Sequence, residues 1–181
     1  MPKSARKRKF IVYIAISADG FIARRDGSVD WLDRPHPKGD YGMPEFYRSI
    51  DTCLLGRKTY DLTVRFGMAE GYAGKRNYVF SRTLSKAASP KVSVVSEDVT
   101  AFAERLRSEK GKETSLVGGA ELVAAFLDAE QVDEFIIHVI PTMIGEGIPL
   151  VASRHRNVPL KLIATKTYTD GVVKLHYAVQ R

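Results

Sequence analysis

A chain of 181 residues with 44% hydrophobic and 27% charged residues has the length of one domain and the balance of an ordinary globular protein, which excludes intrinsic disorder. No run reaches the eighteen or so apolar residues of a membrane-spanning helix, and the single cysteine, Cys53, excludes an internal disulfide or a cysteine-rich zinc site and points to a reducing, cytoplasmic setting. The net charge of +7 includes Lys3, Arg6, Lys7, Arg8 and Lys9, so much of the excess reads as a solvated basic tail over residues 1–9; the remainder suits a small anionic ligand better than a nucleic acid.

The domain is expected over residues 10–181. Its first strand runs from Phe10 to Ser17. A signal peptide is not expected, because Ala18-Asp19-Gly20 turns into charged sequence with no small-residue cleavage site. Pro44 opens a helix that runs to about Ser49, ahead of a strand from Thr52 to Gly56 in which Cys53 reads as a buried small hydrophobe. Strands follow at Asn77 to Ser81 and at Val92 to Ser96. Asp98 or Thr100 caps a second helix, which carries Phe102 and Leu106 and closes at Lys110-Gly111. A strand from Ser115 to Gly118 breaks at Gly118-Gly119 into a third helix with Leu122, Val123, Phe126 and Leu127 on one stripe, ending near Gln131. Beyond a strand from Glu134 to Pro141, the runs Leu160 to Tyr168 and Val172 to Val179 flank Thr169-Asp170-Gly171, a strong hairpin signal. Most of these runs are apolar on both faces and alternate with helices. That pattern predicts an α/β fold: a mostly parallel, eight-stranded central sheet that ends in an antiparallel hairpin, with helices on both faces.

Four segments carry the chemistry. At Gly118-Gly119 a strand delivers two glycines to the first turn of a helix, which serves either as a tight turn or as an anion cradle made of unpaired N–H groups backed by the helix dipole. Leu55-Gly-Arg-Lys-Thr-Tyr60 joins a glycine at a strand end to two cations and a hydroxyl, a set that suits phosphate or a plain capped helix. Phe80-Ser-Arg-Thr83 again sets a hydroxyl and a guanidinium at a strand end, the pair a ribose 2′-phosphate needs. The fourth is Ala15-Ile-Ser-Ala-Asp-Gly-Phe-Ile-Ala23, a strand running into a glycine-containing loop. His36, His138, His155 and His176 have no metal-ligand spacing and read as structural or surface residues, so no metal is expected.

Taken in order, Ile16-Ser-Ala-Asp-Gly-Phe-Ile22, Asp26-Gly-Ser-Val-Asp-Trp31, Leu55-Gly-Arg-Lys-Thr-Tyr60, Tyr78-Val-Phe-Ser-Arg82, Val117-Gly-Gly-Ala-Glu-Leu122 and Ile140-Pro-Thr-Met-Ile-Gly-Glu-Gly-Ile-Pro-Leu150 resemble the dihydrofolate reductase superfamily, and within it the RibD C-terminal reductase group, over nearly the whole chain. The resemblance implies a three-layer reductase fold and NADPH lying across the carboxyl edge of the sheet. By motif, the backbone of Ala15 and Ile22 would hold the nicotinamide carboxamide. Gly56, Arg57, Lys58 and Thr59 would meet the adenine-side phosphates, and Ser81 and Arg82 the 2′-phosphate. Val117, Gly118, Gly119, Ala120, Glu121 and Leu122 would seat the diphosphate, with a cis Gly118–Gly119 peptide as the fold often has.

Folate reductases place a carboxylic acid in the helix ahead of the Gly56 strand. Asp40 and Glu45 are the carboxylates in that region and are the candidate catalytic proton donors. Trp31 either closes over substrate or plugs the edge of the core, and Gly145-Glu-Gly147 is expected to be a structural turn. The zinc deaminase fused to bifunctional RibD has no motif here. The implied activity is a stand-alone, cytoplasmic NADPH-dependent reductase, with a homodimer expected, acting on a small heterocycle such as a ribosylaminopyrimidine phosphate. A dihydrofolate reductase, or a non-catalytic module binding nucleotides or nucleic acid, is the alternative.

Overall fold

Apolar runs with no polar face need cover on both sides, and helical returns between them set the strands parallel. The computed structural model describes residues 7–34 and 40–181. In chain order the elements are β1 (Phe10–Ser17), β2 (Phe21–Ala23), α1 (Met43–Ser49), β3 (Ile50–Gly56), α2 (Arg57–Arg65), β4 (Arg76–Phe80), β5 (Val92–Val95), α3 (Val99–Ser108), β6 (Glu113–Gly118), α4 (Ala120–Asp128), β7 (Glu134–Ile140), β8 (Ile148–Pro149), β9 (Leu160–Thr167) and β10 (Val173–Val179).

Eight strands form one sheet in the order β5-β4-β3-β6-β1-β7-β10-β9. The pairs from β5 through β7 are parallel, and β10 runs antiparallel to both β7 and β9. The predicted hairpin is present, its turn closed by Gly171 N–H to the Tyr168 carbonyl at 3.0 Å. Side-chain alternation on β1 divides the core. Phe10 and Val12 pack with Leu54, Leu116, Phe102, Leu106, Val123 and Phe126 beneath α3 and α4. Ile11 turns the other way, into a cluster with Phe46 of α1, Tyr60 of α2, Cys53, Leu55 and Ile136. Cys53 is buried, and burial pushes its thiol up to about 12, which leaves it unreactive.

Of the two expected caps of α3, Asp98 is the one used, accepting from Thr100 N–H at 2.8 Å and Ala101 N–H at 3.2 Å. Other features lie beyond the expected elements: the Arg57 segment forms a full helix, and β3 begins at Ile50 rather than Thr52. A separate ribbon joins β2 to β8. The tail also ends earlier than its sequence indicates. Arg8 is only 4% exposed, and its guanidinium reaches both oxygens of Asp51, Thr52 Oγ1 at 3.1 Å and Thr114 Oγ1 at 3.4 Å. Lys9 pairs with Glu134. Partners that stand forty or more residues away make these two cations part of the fold. Among the described residues no helix is long and apolar enough to cross a membrane.

The Gly145-Glu-Gly147 turn is clamped from the first strand's loop. Asp19 accepts from Ile144 N–H at 3.2 Å and Gly145 N–H at 2.7 Å, and a side chain on Gly147 would collide with the Ala23 carbonyl and sit 3.2 Å from Phe21 Cβ. Gly147→Ala is therefore expected to cost about 2 kcal/mol, a fall in Tm on the order of 6 °C for a domain of this size. Thermal unfolding measures it; an unchanged Tm would show that the ribbon yields freely.

Candidate functional site

Because β1, β3, β4, β6 and β7 point the same way, Ser17, Gly56, Phe80, Gly118 and Ile140 end at one edge of the sheet. The glycine corner sits at the middle of that edge. The Gly118–Gly119 peptide is cis, and Gly118 has φ +126°, a region that favours glycine. Gly119 precedes α4 and Gly56 precedes α2, and neither helix has a side-chain cap, whereas α3 is capped by Asp98. The two uncapped ends meet. A Cβ on Gly56 would lie 3.3 Å from Gly119 N, and one on Gly119 would lie 3.2 Å from Thr59 Oγ1. Two helix starts without side-chain caps and one hydroxyl thus share a corner that glycine keeps open to the backbone, an arrangement suited to an anion.

The flanking predicted residues divide by what holds them. Ser81 Oγ accepts from Leu84 N–H at 3.0 Å and Thr83 N–H at 3.3 Å, which leaves its own proton to donate. Arg82 and Lys58 are exposed and form no ion pair among the described residues. Arg57 is tied to Asp61 at 2.8 Å across one helical turn, and Glu121 pairs with Arg154 at 2.8 Å. Ala120 and Leu122 are buried, and Val117 packs against the cluster around Tyr60, so these three offer only backbone at the edge.

Toward β7 and β10 the edge becomes aromatic. Ala15 packs beside Trp31, which is 6% exposed among Ile140, Val172 and Tyr168 and plugs the core edge; its Nε1 is buried without a partner among the described residues. Ile22 lies in the β2 ribbon. Sequence reading missed the group beside them. Tyr41, Tyr168, Tyr13 and His138 converge, with Tyr13 stacked on Phe46 at 4.2 Å between ring centroids and His138 4.9 Å from Tyr13. The signal available was the alternation on β1, which turns Tyr13 and Ala15 to one face, while Ala15, His138 and Lys174 share one row across β1, β7 and β10.

Electrostatics favours the neutral forms of these rings. Burial pushes the Tyr13 and Tyr168 hydroxyls up, and the charges of Asp40 and Glu45 add to the shift in both. Burial lowers His138, partly opposed by its hydrogen bond to Tyr41 and aided by Lys174. Asp40 and Glu45 themselves stand at the exposed rim: Asp40 Oδ1 accepts from Gly42 N–H at 3.0 Å, and Glu45 pairs with Arg48 at 3.3 Å. His176 pairs with Glu134 at 2.9 Å, far from this edge, and His36 lies outside the described residues.

Comparison with known proteins agrees with this architecture. The chain is 42% identical over 171 residues to the uncharacterized protein YwjB of Bacillus subtilis (strain 168), covering 94% of this chain and 98% of YwjB. A crystal structure of a candidate riboflavin biosynthesis protein from Shewanella sp. PV-4 superposes with a TM-score of 0.85 at 28% identity, covering 96% of this chain and 99% of that one. Two more distant structures share the fold: a diaminohydroxyphosphoribosylaminopyrimidine deaminase/5-amino-6-(5-phosphoribosylamino)uracil reductase from Thermotoga maritima (TM-score 0.71, 15% identity, 96% of this chain and 57% of that one), and dihydrofolate reductase from Enterococcus faecalis complexed with NADP(H) (0.68, 15%, 96% and 97%). The profile of the RibD C-terminal domain matches residues 8–174, and the chain belongs to that family.

Proposed function

We propose that this chain is an NADPH-dependent reductase that transfers hydride to a small heterocyclic substrate, resembling the riboflavin-pathway 5-amino-6-(5-phosphoribosylamino)uracil reductase. A reductase-like role is what the family and the neighbouring structures support. The observation that carries the cofactor is the meeting of two uncapped helix ends at Gly56 and Gly119, with Thr59 between them and exposed Arg82, unpaired among the described residues, on the same edge. These residues fit an anionic dinucleotide. In this reading the N–H groups from Gly118 through Leu122 hold the diphosphate, with Val117 leading the backbone into the corner. Gly56, Lys58 and Thr59 meet the adenine-side phosphates, joined by Arg57 once it leaves Asp61. The Ser81 hydroxyl and the Arg82 guanidinium take the 2′-phosphate, and the backbone of Ala15 and Ile22 orients the nicotinamide.

Bound there, NADPH supplies the hydride. The chain's own part is positioning: an acceptor held against the sheet beside Ala15, with Trp31 walling the edge, gains on the order of 7 to 11 kcal/mol from well-oriented approach. The proton comes from water or from Asp40 or Glu45 at the rim. We extend the proposal to a cytoplasmic homodimer, in which a second copy covers the edge strand β9 with its exposed Leu160, Leu162 and Ile163.

Thermal unfolding tests the cofactor. NADPH at about a hundred times its Kd adds roughly 2.7 kcal/mol, a rise in Tm near 8 °C, and NADH at the same concentration adds much less. Equal shifts, or salt-dependent DNA binding with no NADPH effect, would sink the proposal. NADPH oxidation driven by dihydrofolate instead of an aminouracil would move the substrate to folate.

A further inference from the structure

The carbonyl oxygen of Tyr41 has more donors than it can use. It accepts from the Tyr168 hydroxyl at 3.0 Å, from His138 Nε2–H at 3.2 Å and from the Tyr13 hydroxyl at 3.3 Å. Those donors arrive from the turn after β9, from β7 and from β1. A carbonyl oxygen carries two lone pairs, so three donors exceed them by one. The longest and weakest contact is Tyr13's. If that hydroxyl turned elsewhere, Tyr168 and His138 would still satisfy Tyr41 and no buried group would be orphaned.

The Tyr13 ring is fixed by its stack on Phe46 and its contact with His138, so only the hydroxyl proton has freedom. Tyr13 is half-exposed and lies on the same face of β1 as Ala15, about 6.6 Å upstream at the rise of a parallel strand. It therefore borders the place where the acceptor ring would lie beside the nicotinamide. The groups that converge on Tyr41 offer protons, from Tyr13, Tyr168 and His138, while the carboxylates Asp40 and Glu45 stay at the rim with partners of their own. A carboxylate, which only accepts, recognises the amidine edge of a 2-aminopterin; a donor recognises an oxo edge.

We infer that Tyr13 is the specificity-determining donor of the acceptor site, its hydroxyl turning from the Tyr41 carbonyl to an oxo oxygen of the heterocycle and selecting a dioxo ring over an amino-substituted one. The inference rests on the reading of this edge as a reductase site, and two matched probes test it separately from the cofactor. Pteridine-2,4-dione and 2,4-diaminopteridine share one ring system and differ at the edge in question. Fluorescence titration of the full chain, with and without saturating NADP+, is expected to show the dione bound at least fivefold more tightly. Tyr13→Phe, which keeps the ring and its stack, is expected to weaken the dione about tenfold, the size of one hydrogen bond, and to leave the diamino ring unchanged. If Tyr13 kept its proton on Tyr41 it would accept an N–H instead; the diamino ring would then bind at least as well, which overturns the inference. Equal losses for both rings, or binding of neither, overturn it too. Should Tyr13→Phe fail to fold, the wild-type preference between the two rings decides. Absence of any nucleotide effect counts against the NADPH reading, and the titration without nucleotide still judges Tyr13.

Discussion

Arg82→Ala is expected to weaken NADPH binding roughly tenfold to a hundredfold and to leave NADH binding within about a factor of two. The two nucleotides differ only in the 2′-phosphate, so the contrast isolates that group. Arg82 is exposed just past the end of β4 and has no carboxylate partner among the described residues, so its charge is available to an incoming anion. A hydrogen bond to a charged group contributes about 1.5 to 3 kcal/mol, and each 1.4 kcal/mol is tenfold in Kd. Exposure and salt pull the effect toward the lower figure, so the loss shrinks as ionic strength rises. Arg82→Lys should recover only part of it, because an ammonium lacks the forked pair of N–H donors. Fluorescence titration with both nucleotides measures this directly. Equal weakening of NADPH and NADH would place Arg82 away from the 2′-phosphate, and no weakening would remove it from the site.

The second large effect concerns stability. Arg8→Ala is expected to destabilise the domain by about 2 kcal/mol, because it removes a buried guanidinium that bonds the half-buried Asp51 together with Thr52 and Thr114; that corresponds to a fall in Tm on the order of 6 °C. Arg8 ties β1's approach to Asp51 and Thr52 of β3 and to Thr114 of β6, and Lys112 N–H reaches Asp51 Oδ2 at 2.8 Å beside it. The effect has a pH signature. Burial tends to raise the Asp51 carboxyl, but hydrogen bonds from Arg8, the Lys112 N–H and Thr52 outweigh it and hold the group below its ordinary value. A carboxyl lowered in the folded state stabilises fully above its unfolded value near about 4 and loses that contribution as pH falls through the lower folded value. The gap between wild type and Arg8→Ala should therefore be full at neutral pH and narrow in acid. Urea unfolding at pH 7 and near pH 3 checks it; a gap that stayed constant would mean that Arg8 acts through packing alone.

What could be read from the chain is local. Short runs apolar on both faces marked the strands, the Asp170-Gly171 pair marked the hairpin, and Asp98 stood as one of two possible caps for α3, all within reach of a few residues. Gly56 and Gly118 were legible as strand ends for the same reason, whereas β4 ends at Phe80, one residue before the expected Ser81. Pairing across the chain was not. Nothing near Phe10 says that β1 lies between β6 and β7, more than a hundred residues on, and that placement brings the ends of α2 and α4 together. Arg8 read as tail because its partners, Asp51, Thr52 and Thr114, are distant in sequence, and a charge run with no local partner resembles a solvated one. Gly147 needs its missing Cβ only because β2 passes against it. Tyr13, His138 and Tyr168 carry no shared motif; β1, β7 and the turn after β9, brought together only in the fold, aim them at one carbonyl oxygen. The sequence by itself determined which segments are strands and helices and which of them end in glycine or hydroxyl, since backbone preference and side-chain periodicity act over a few residues. The tertiary structure alone decided which ends become neighbours and which donors converge, because those contacts form only when distant strands pair.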